Sequence, residues 1–550
     1  MQGLQGLGPR RAVFALLAGG LTLGLLALAW RVLAGGGWTA WEALILVCLT
    51  ANAPWLGLSA ATGLIGFAIR LFARDPIAAV LPALRHRCDL DASPIEARTV
   101  LAVCVRLEDM ATVLPPLARL LRELHAADAG RFALGILSDT PCGSAAEAEA
   151  QAAAALAARL PPGTLLYRRR QENTGFKAGN LMEFLDQHAE EFDFALVLDA
   201  DSTMSATAVR RLVRVMQADY RLAILQPTVA GCGAETSFAR LFGFGHRHGA
   251  RLWATGQAWW QGPEGPYWGH NALLRIAAFR RDARLPLLPD GSHILSHDHA
   301  EAALLHAAGW AVRVLPEDAG SFERHPPDLL ALFSRDLRWA AGNLQYRHLL
   351  RRPDLGRLGR FQMVQAILHY ALAPLWFALL PLAALNVVSG GGEDTSRGGL
   401  LALLVAGFVA LNMPKLAGYA ELLLRPGRAG RAALLRCMGQ EIVLGLLLDS
   451  VAALERTSTM LQLMTTRPGN WAPQHRHARA ITWPGASRRF GFHVVVGLAF
   501  GLCFSKGGDF ALLTALPICA GLILAVPLAV VTAQTKSITD TKSVTEVDVR

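Results

Sequence analysis

Phe194-Ala195-Leu196-Val197-Leu198-Asp199-Ala200-Asp201 is where the fold of this chain is decided. An unbroken apolar run from Phe194 to Leu198, closed by polar residues, reads as a short buried strand. The two carboxylates come where that strand ends. In an open α/β sheet this end faces the crevice in which ligands bind. Carboxylates one residue apart on extended chain can share one hard cation through oxygen. Mg2+ (or Mn2+) held by Asp199 and Asp201 would join two phosphate oxygens and neutralise a diphosphate as it leaves. Asp is also common in strand-end turns, so Asp-x-Asp alone is a weak signal. Its weight comes from its neighbours along the chain.

Further apolar runs lie around it: Thr99 to Val105, Phe132 to Leu137 and Leu222 to Gln226. They alternate with helix-prone stretches such as the Ala-rich Ala145 to Leu160. This order predicts an α/β domain, with a mainly parallel sheet and helices on both faces. Ser138-Asp139 ends the run from Phe132, which places Asp139 at the same crevice. Asp139 there can accept a hydrogen bond from a nucleotide base or support the metal site; a helix N-cap or a plain loop is the bland reading. Arg168-Arg169-Arg170 precedes Asn173-Thr174-Gly175-Phe176-Lys177-Ala178-Gly179-Asn180, a basic, Gly-containing segment before a helix. Lys177 meets a diphosphate as a point charge, beside the amides of the helix start, with Asn180 in the same segment. At least one of the three arginines reads as a solvated face.

Two later motifs complete the set. His297-Asp298-His299 precedes a helix-like stretch from Ala300 to Ala308. Asp298 is the candidate general base, taking a proton from an attacking hydroxyl. The histidines raise a rival, a zinc site with His246 and His248, but positions i and i+2 do not share a helix face. Arg335-Asp336-Leu337-Arg338-Trp339 reads as helical. Arg338 suits a leaving diphosphate and Trp339 can stack on a sugar, against a plain membrane-side anchor. Tyr267-Trp268-Gly269-His270-Asn271 follows what reads as a loop rich in Trp and Gly (Trp253, Trp259, Trp260, Gly262, Gly265). Trp268 and His270 there suit sugar rings; a loop lying against membrane helices is the equal alternative.

Hydrophobic residues make up 53% of the 550 residues and charged residues 17%, too apolar for a fully soluble chain of this size. The net charge is +10, with arginine concentrated at membrane edges, which argues for positive-inside anchoring and an anionic nucleotide rather than nucleic acid. The eight cysteines form no Cys-x-x-Cys, so a structural zinc site is disfavoured. Spans are expected at about Val13 to Trp30, Ala43 to Ile69, Met363 to Val388 and Leu400 to Leu424. A last hairpin runs from Phe492 to Phe504 and from Phe510 to Val531. Glu441 to Leu454 fits an in-plane or buried helix better than a free span, because it carries Glu441 and Asp449. The expected division is a membrane hairpin (1–74), a cytoplasmic α/β domain (75–360) and membrane spans (361–432). An interfacial helix with a basic cytoplasmic segment (433–489), a second hairpin (490–532) and a polar, disordered tail (533–550) follow. Arg10, Arg11, Arg70 and Arg74 put the N-terminus and the α/β domain in the cytoplasm; Arg425, Arg428, Arg431 and Arg436 return the chain there after the fourth span, with the Gly390–Gly392 loop outside.

These motifs, in this order, resemble the processive inverting glycosyltransferases of family 2, the class of cellulose, chitin and hyaluronan synthases. The strings Tyr267-Trp268-Gly269-His270-Asn271, Ile294-Leu295-Ser296-His297-Asp298, Gly309-Trp310, Arg335-Asp336-Leu337-Arg338-Trp339 and Ala373-Pro374-Leu375-Trp376-Phe377 are most similar to the branch that makes osmoregulated periplasmic glucans. Arg335 stands where the general signature has Gln, and the segment from Asn173 to Asn180 looks closer to the cellulose-synthase type. The resemblance implies a GT-A-like domain embedded between transmembrane helices of the bacterial inner membrane, with UDP-glucose as donor and a growing glucan as acceptor. It implies Asp139, Lys177, Asn180, Asp199 and Arg338 at the donor, Trp339, Trp268 and His270 at the acceptor, Asp298 as base, Mg2+ on Asp199 and Asp201, and a periplasmic glucan-processing protein as a partner. Inversion in one displacement needs one base and no covalent nucleophile. Lys415 and Glu441, polar residues in later spans, could line a sugar path. A cellulose-like or other exopolysaccharide synthase is the alternative within the class, and a lipid-linked sugar transferase a third; a channel with a regulatory domain would need no base.

Overall fold

The computed structural model describes residues 6–424, 430–465 and 478–535. Arg425, Arg428, the middle of the basic segment and the tail beyond Thr535 lie outside the described residues. Ten strands follow in chain order: β1 (Thr99–Val105), β2 (Phe132–Ser138), β3 (Leu165–Arg169), β4 (Phe194–Asp199), β5 (Thr203–Met204), β6 (Leu222–Pro227), β7 (Ala230–Gly231), β8 (Ala272–Arg275), β9 (Ala311–Leu315) and β10 (Ser321–Glu323). Seven form one sheet, ordered β3-β2-β1-β4-β8-β6-β9. All its pairings are parallel except the two made by β8.

Alternation sets the two faces of this sheet. Leu101, Val103, Phe194, Leu196 and Leu198 enter one buried cluster with Val113, Leu117 and Leu121 of the helix Met110–Ala127. Val100, Ala102, Ala195 and Val197 enter the other, against Leu181, Phe184 and Leu185 of the helix Phe176–Gln187. Period-two side chains with apolar residues at both phases are what a sheet covered on both sides requires.

Register then places the chemistry. Cys104 of β1 pairs with Asp199 on one side and Leu137 on the other. The Asp139 amide donates to the Val105 carbonyl at 2.9 Å. Asp139 and Asp199 therefore flank the end of β1. The Asp199–Asp201 turn runs straight into β5, which pairs antiparallel with β10, and β10 pairs parallel with β7. This small second sheet carries Glu323 to the crevice.

Among the described residues, five helices are long and apolar enough to cross a membrane: Leu7–Leu33, Ala40–Phe72, Arg357–Val388, Arg397–Leu424 and Arg431–Thr465. A pair bent by 56°, Gly508–Ile523 with Ala525–Thr532, makes a sixth if taken as one span. The apolar stretch from Glu441 to Leu454 belongs to the helix Arg431–Thr465, which runs well past it at both ends. The Glu441 carboxylate accepts from Lys415 at 3.0 Å and Tyr419 at 2.5 Å, so a neighbouring helix meets its charge.

The start of the second span meets the last turn of the helix ending at Val388: Thr39 Oγ1 donates to Asn386 at 2.7 Å, and Asn386 donates to Glu42 at 3.2 Å. At the opposite end, Glu421 receives Arg70 at 2.9 Å and Arg251 at 3.0 Å, tying two spans to the helix Ser237–Gln261 of the α/β domain. That helix touches the second span backbone to backbone. A Cβ at Gly66 would lie 2.1 Å from the Leu252 oxygen, and one at Gly256 would lie 2.0 Å from the Thr62 oxygen.

Candidate active site

The crevice is walled by the carboxyl ends of β1, β2 and β4, by the loop Tyr267 to Asn271, and by the segment before the helix Asp298–Ala307. Asp139 is held by Arg170, with Nη2 at 3.0 Å and a second, closer contact from Nε. The side chains of this pair are 4% and 8% exposed. Arg170 also donates to the Thr174 and Phe176 carbonyls, at 2.8 and 2.6 Å, and so shapes the loop that presents Lys177. The Lys177 ammonium sits on the Asp199 carboxylate and donates to the Gly269 carbonyl at 2.7 Å. Burial is the strongest influence and opposes its charge, but Asp199, Cys104 and Asp298 together outweigh it and the pKa is raised.

Gly269 joins the two sides. Its φ is +85°, and a Cβ there would lie 3.6 Å from the Asp298 Cβ. One residue's carbonyl thus meets Lys177 while its α-carbon faces the base segment. Asn271, at φ +47°, donates to the Ser321 hydroxyl at 3.0 Å and to the Phe322 carbonyl at 3.2 Å, clamping this loop to β10. His270 Nε2 then lies 3.4 Å from the Glu323 carboxylate. Burial raises the Glu323 pKa, His270 and Arg335 oppose that, and Asp201 and Asp199 add to it.

Asp298 accepts from the Tyr346 hydroxyl at 3.2 Å. Burial alone would raise its pKa, but the neighbouring imidazoles of His299 and His297 hold it well below the usual carboxylate range. His297 Nδ1 lies 2.7 Å from Glu301. Burial is the strongest influence and works against the imidazolium, but Glu301 and Asp298 together outweigh it, and the pKa is raised. The rival histidine site does not assemble. His246 lies against His325, with ring centroids 5.0 Å apart, while His248 lies against Phe244 and Tyr419. Burial pushes His246 down to about 4.

On the helix Leu329–Gln345 the Arg335 guanidinium lies 4.4 Å over the Trp339 ring, which is 45% exposed. Arg338 is half-buried on the same helix. Asp336 is buried and receives Arg456 at 2.8 Å, so the middle of this motif is an anchor to a membrane helix.

Other residues stand elsewhere than the sequence suggests. Asn180 is fully buried; its amide donates to the Leu137 carbonyl at 3.1 Å and its oxygen accepts from Arg168, so it braces β2 and does not face the donor. Arg168 and Arg170 are engaged within the domain, so the solvated-face reading does not hold for them; Arg169, half-buried, donates to the exposed Cys142. Trp253, Trp259 and Trp260 are not in a loop but on the helix Ser237–Gln261. Trp260 stacks on Phe14 of the first span, centroids 4.0 Å apart, so the membrane-side alternative holds for it. Trp268 packs with Val80, Ala254 and Val314, and its amide donates to Gln226 at 2.8 Å. Glu323, Tyr346 and Arg456 were not singled out from sequence, and Arg170 only as one of a basic trio; each acts through a partner distant in the chain.

Asp199 and Asp201 offer oxygen ligands on one turn. No group of three His, Cys, Asp or Glu suited to a metal occurs among the described residues. The donor set fits a hard divalent cation that takes its remaining ligands from substrate phosphates, the manner in which Mg2+ is commonly held.

Residues 194–412 match the family model described as glycosyl transferase family group 2. Over 96% of its length the chain is 33% identical to a glucans biosynthesis glucosyltransferase H of Xanthomonas campestris pv. campestris, 85% of which it covers. Over 90% it is 33% identical to one of Caulobacter vibrioides, 78% of which it covers. Among solved structures, a mannosyltransferase from Pyrobaculum calidifontis in complex with GDP-Man and Mn2+ aligns with a TM-score of 0.42 at 13% identity, over 67% of this chain and 100% of that one. The chain belongs to the glucans biosynthesis glucosyltransferase H family, and is a family 2 hexosyltransferase of glucan biosynthesis, its GT-A-like domain joined to apolar helices that could span a membrane.

Proposed function

We propose that this protein uses UDP-glucose to extend, by inversion, the backbone of osmoregulated periplasmic glucans, and passes the product through the bacterial inner membrane. The observation that carries this reading is the placing of Lys177 and Asp298 on two sides of Gly269: a diphosphate-binding cation and a single base share one crevice. Asp139, Lys177 and Arg338 hold the nucleotide. A divalent cation (Mg2+ or Mn2+) on Asp199 and Asp201 supplies charge neutralisation of the diphosphate when bound. Trp339, with His270 on the other wall, holds the terminal sugar of the acceptor. Asp298 takes the proton of its attacking hydroxyl, and no covalent nucleophile is needed. The Arg70–Glu421–Arg251 end of the membrane helices supports a cytoplasmic catalytic domain, by the positive-inside rule.

Vesicles of defined orientation, carrying the protein and given radiolabelled UDP-glucose, test this. Everted vesicles, with the cytoplasmic face outward, are expected to build β-linked glucan that linkage analysis identifies and to retain it in the lumen. Absence of incorporation, or incorporation only by right-side-out vesicles, would overturn it.

A further inference from the structure

The last turn of the helix Leu329–Gln345 reaches the segment that presents Asp298 at three points. A Cβ at Gly342 would fall 2.3 Å from the Ser296 hydroxyl oxygen, so this helix and the base segment are in direct contact. The Leu295 amide donates to Gln345 Oε1 at 2.7 Å. The Tyr346 hydroxyl donates to Asp298 Oδ1 at 3.2 Å, and the Tyr346 ring lies alongside that of His299, centroids 6.0 Å apart and planes at 24°. Tyr346 is wholly buried, so its hydroxyl has left water and Asp298 is the partner it finds. The other side of the same helix is fastened to membrane helices. Asp336 receives Arg456, whose guanidinium lies 6.0 Å over the Tyr370 ring, and the Asn343 amide donates to the Ala366 carbonyl at 3.4 Å.

A base must present one oxygen to the acceptor, yet a carboxylate rotates about its terminal bond. A donor fixed on one oxygen stops that rotation. Asp298 Oδ2 lies 3.7 Å from His299 Nδ1, longer than a direct hydrogen bond. We infer that Tyr346 is a positioning residue for the general base. Its hydroxyl holds Oδ1 of Asp298 and leaves Oδ2 for the acceptor, and the membrane-fastened helix that ends at Gln345 sets where the base stands. The inference rests on Asp298 being the base.

Tyr346→Phe keeps the ring and its packing and removes only the hydroxyl. In the purified full-length protein, kcat for glucose transfer is expected to fall about tenfold, with KM for UDP-glucose within about twofold of the parent. The decisive comparison is in Asp298→Asn. If the hydroxyl acts through the carboxylate, adding Tyr346→Phe to that variant costs less than about twofold more. An unchanged kcat in Tyr346→Phe, or the same fractional loss in both backgrounds, overturns the inference. Should Tyr346→Phe not fold, as judged by melting and UDP binding, Gln345→Ala releases the same segment and must show the same loss of kcat at constant KM. Near-normal transfer by Asp298→Asn alone instead refutes the base assignment itself.

Discussion

On the proposed donor side of the crevice two carboxylates meet fixed cations, Arg170 at Asp139 and Lys177 at Asp199, whereas on the proposed acceptor side Asp298 meets the hydroxyl of Tyr346. The contrast follows the work each side has to do. A site for a nucleotide diphosphate needs oxygen ligands and positive charge held ready at short range, and paired charges survive burial where single ones do not. A carboxylate locked to a guanidinium accepts a proton poorly. Asp298 is steadied by a neutral donor, and its low pKa comes from imidazoles, whose charge depends on their own protonation.

Four substitutions test that contrast. Asp201→Ala should abolish metal-dependent transfer while the protein still inserts into membranes, and EDTA should do the same to the parent. Full activity in EDTA would break the donor-side reading. Asp298→Asn should lower transfer by about 10²–10⁴-fold, the usual share of general acid–base catalysis, with UDP affinity by calorimetry unaltered. A matching loss of UDP affinity would mean that the two sides are not separate. Arg170→Met strips the partner from a buried carboxylate and should cost about 3–5 kcal/mol of stability, read from denaturant or thermal unfolding. Adding Asp139→Leu should restore much of the stability but not donor binding; if Arg170→Met alone leaves stability untouched, the pair is not the buried anchor described.

What the sequence showed plainly was what a single strand can show. The runs ending at Ser138 and Asp199 are apolar at both phases, so their burial and the exit of their carboxylates into a crevice could be read directly. The strand β8 could not: it is four residues long and antiparallel in an otherwise parallel sheet, and direction leaves no mark on composition. The small sheet that delivers Glu323 is built from strands of two and three residues. Trp259 and Trp260 read as loop residues because Gly243, Gly245, Gly249 and Gly256 blur the helical pattern around them. Several of those glycines mark where other elements press in: Gly245 faces Glu441 and Gly256 faces Thr62. Arg170 and Asp139 are 31 residues apart, and Arg456 and Asp336 are 120, distances over which no local pattern pairs charges.

At Gly66 against Leu252 and at Gly256 against Thr62, the helix Ser237–Gln261 and the second span come into direct backbone contact, with side chains such as Ile65 and Trp260 packing beside them. Two helices meeting in this way behave as a welded joint rather than a bearing, because neither can roll without driving backbone into backbone. The catalytic domain is therefore docked at a fixed height and heading against the membrane helices. If the product is a polymer drawn through them, the advance by one sugar after each transfer falls to the polymer and to the loops around the crevice, with the enzyme body acting as the stationary frame past which the chain is fed.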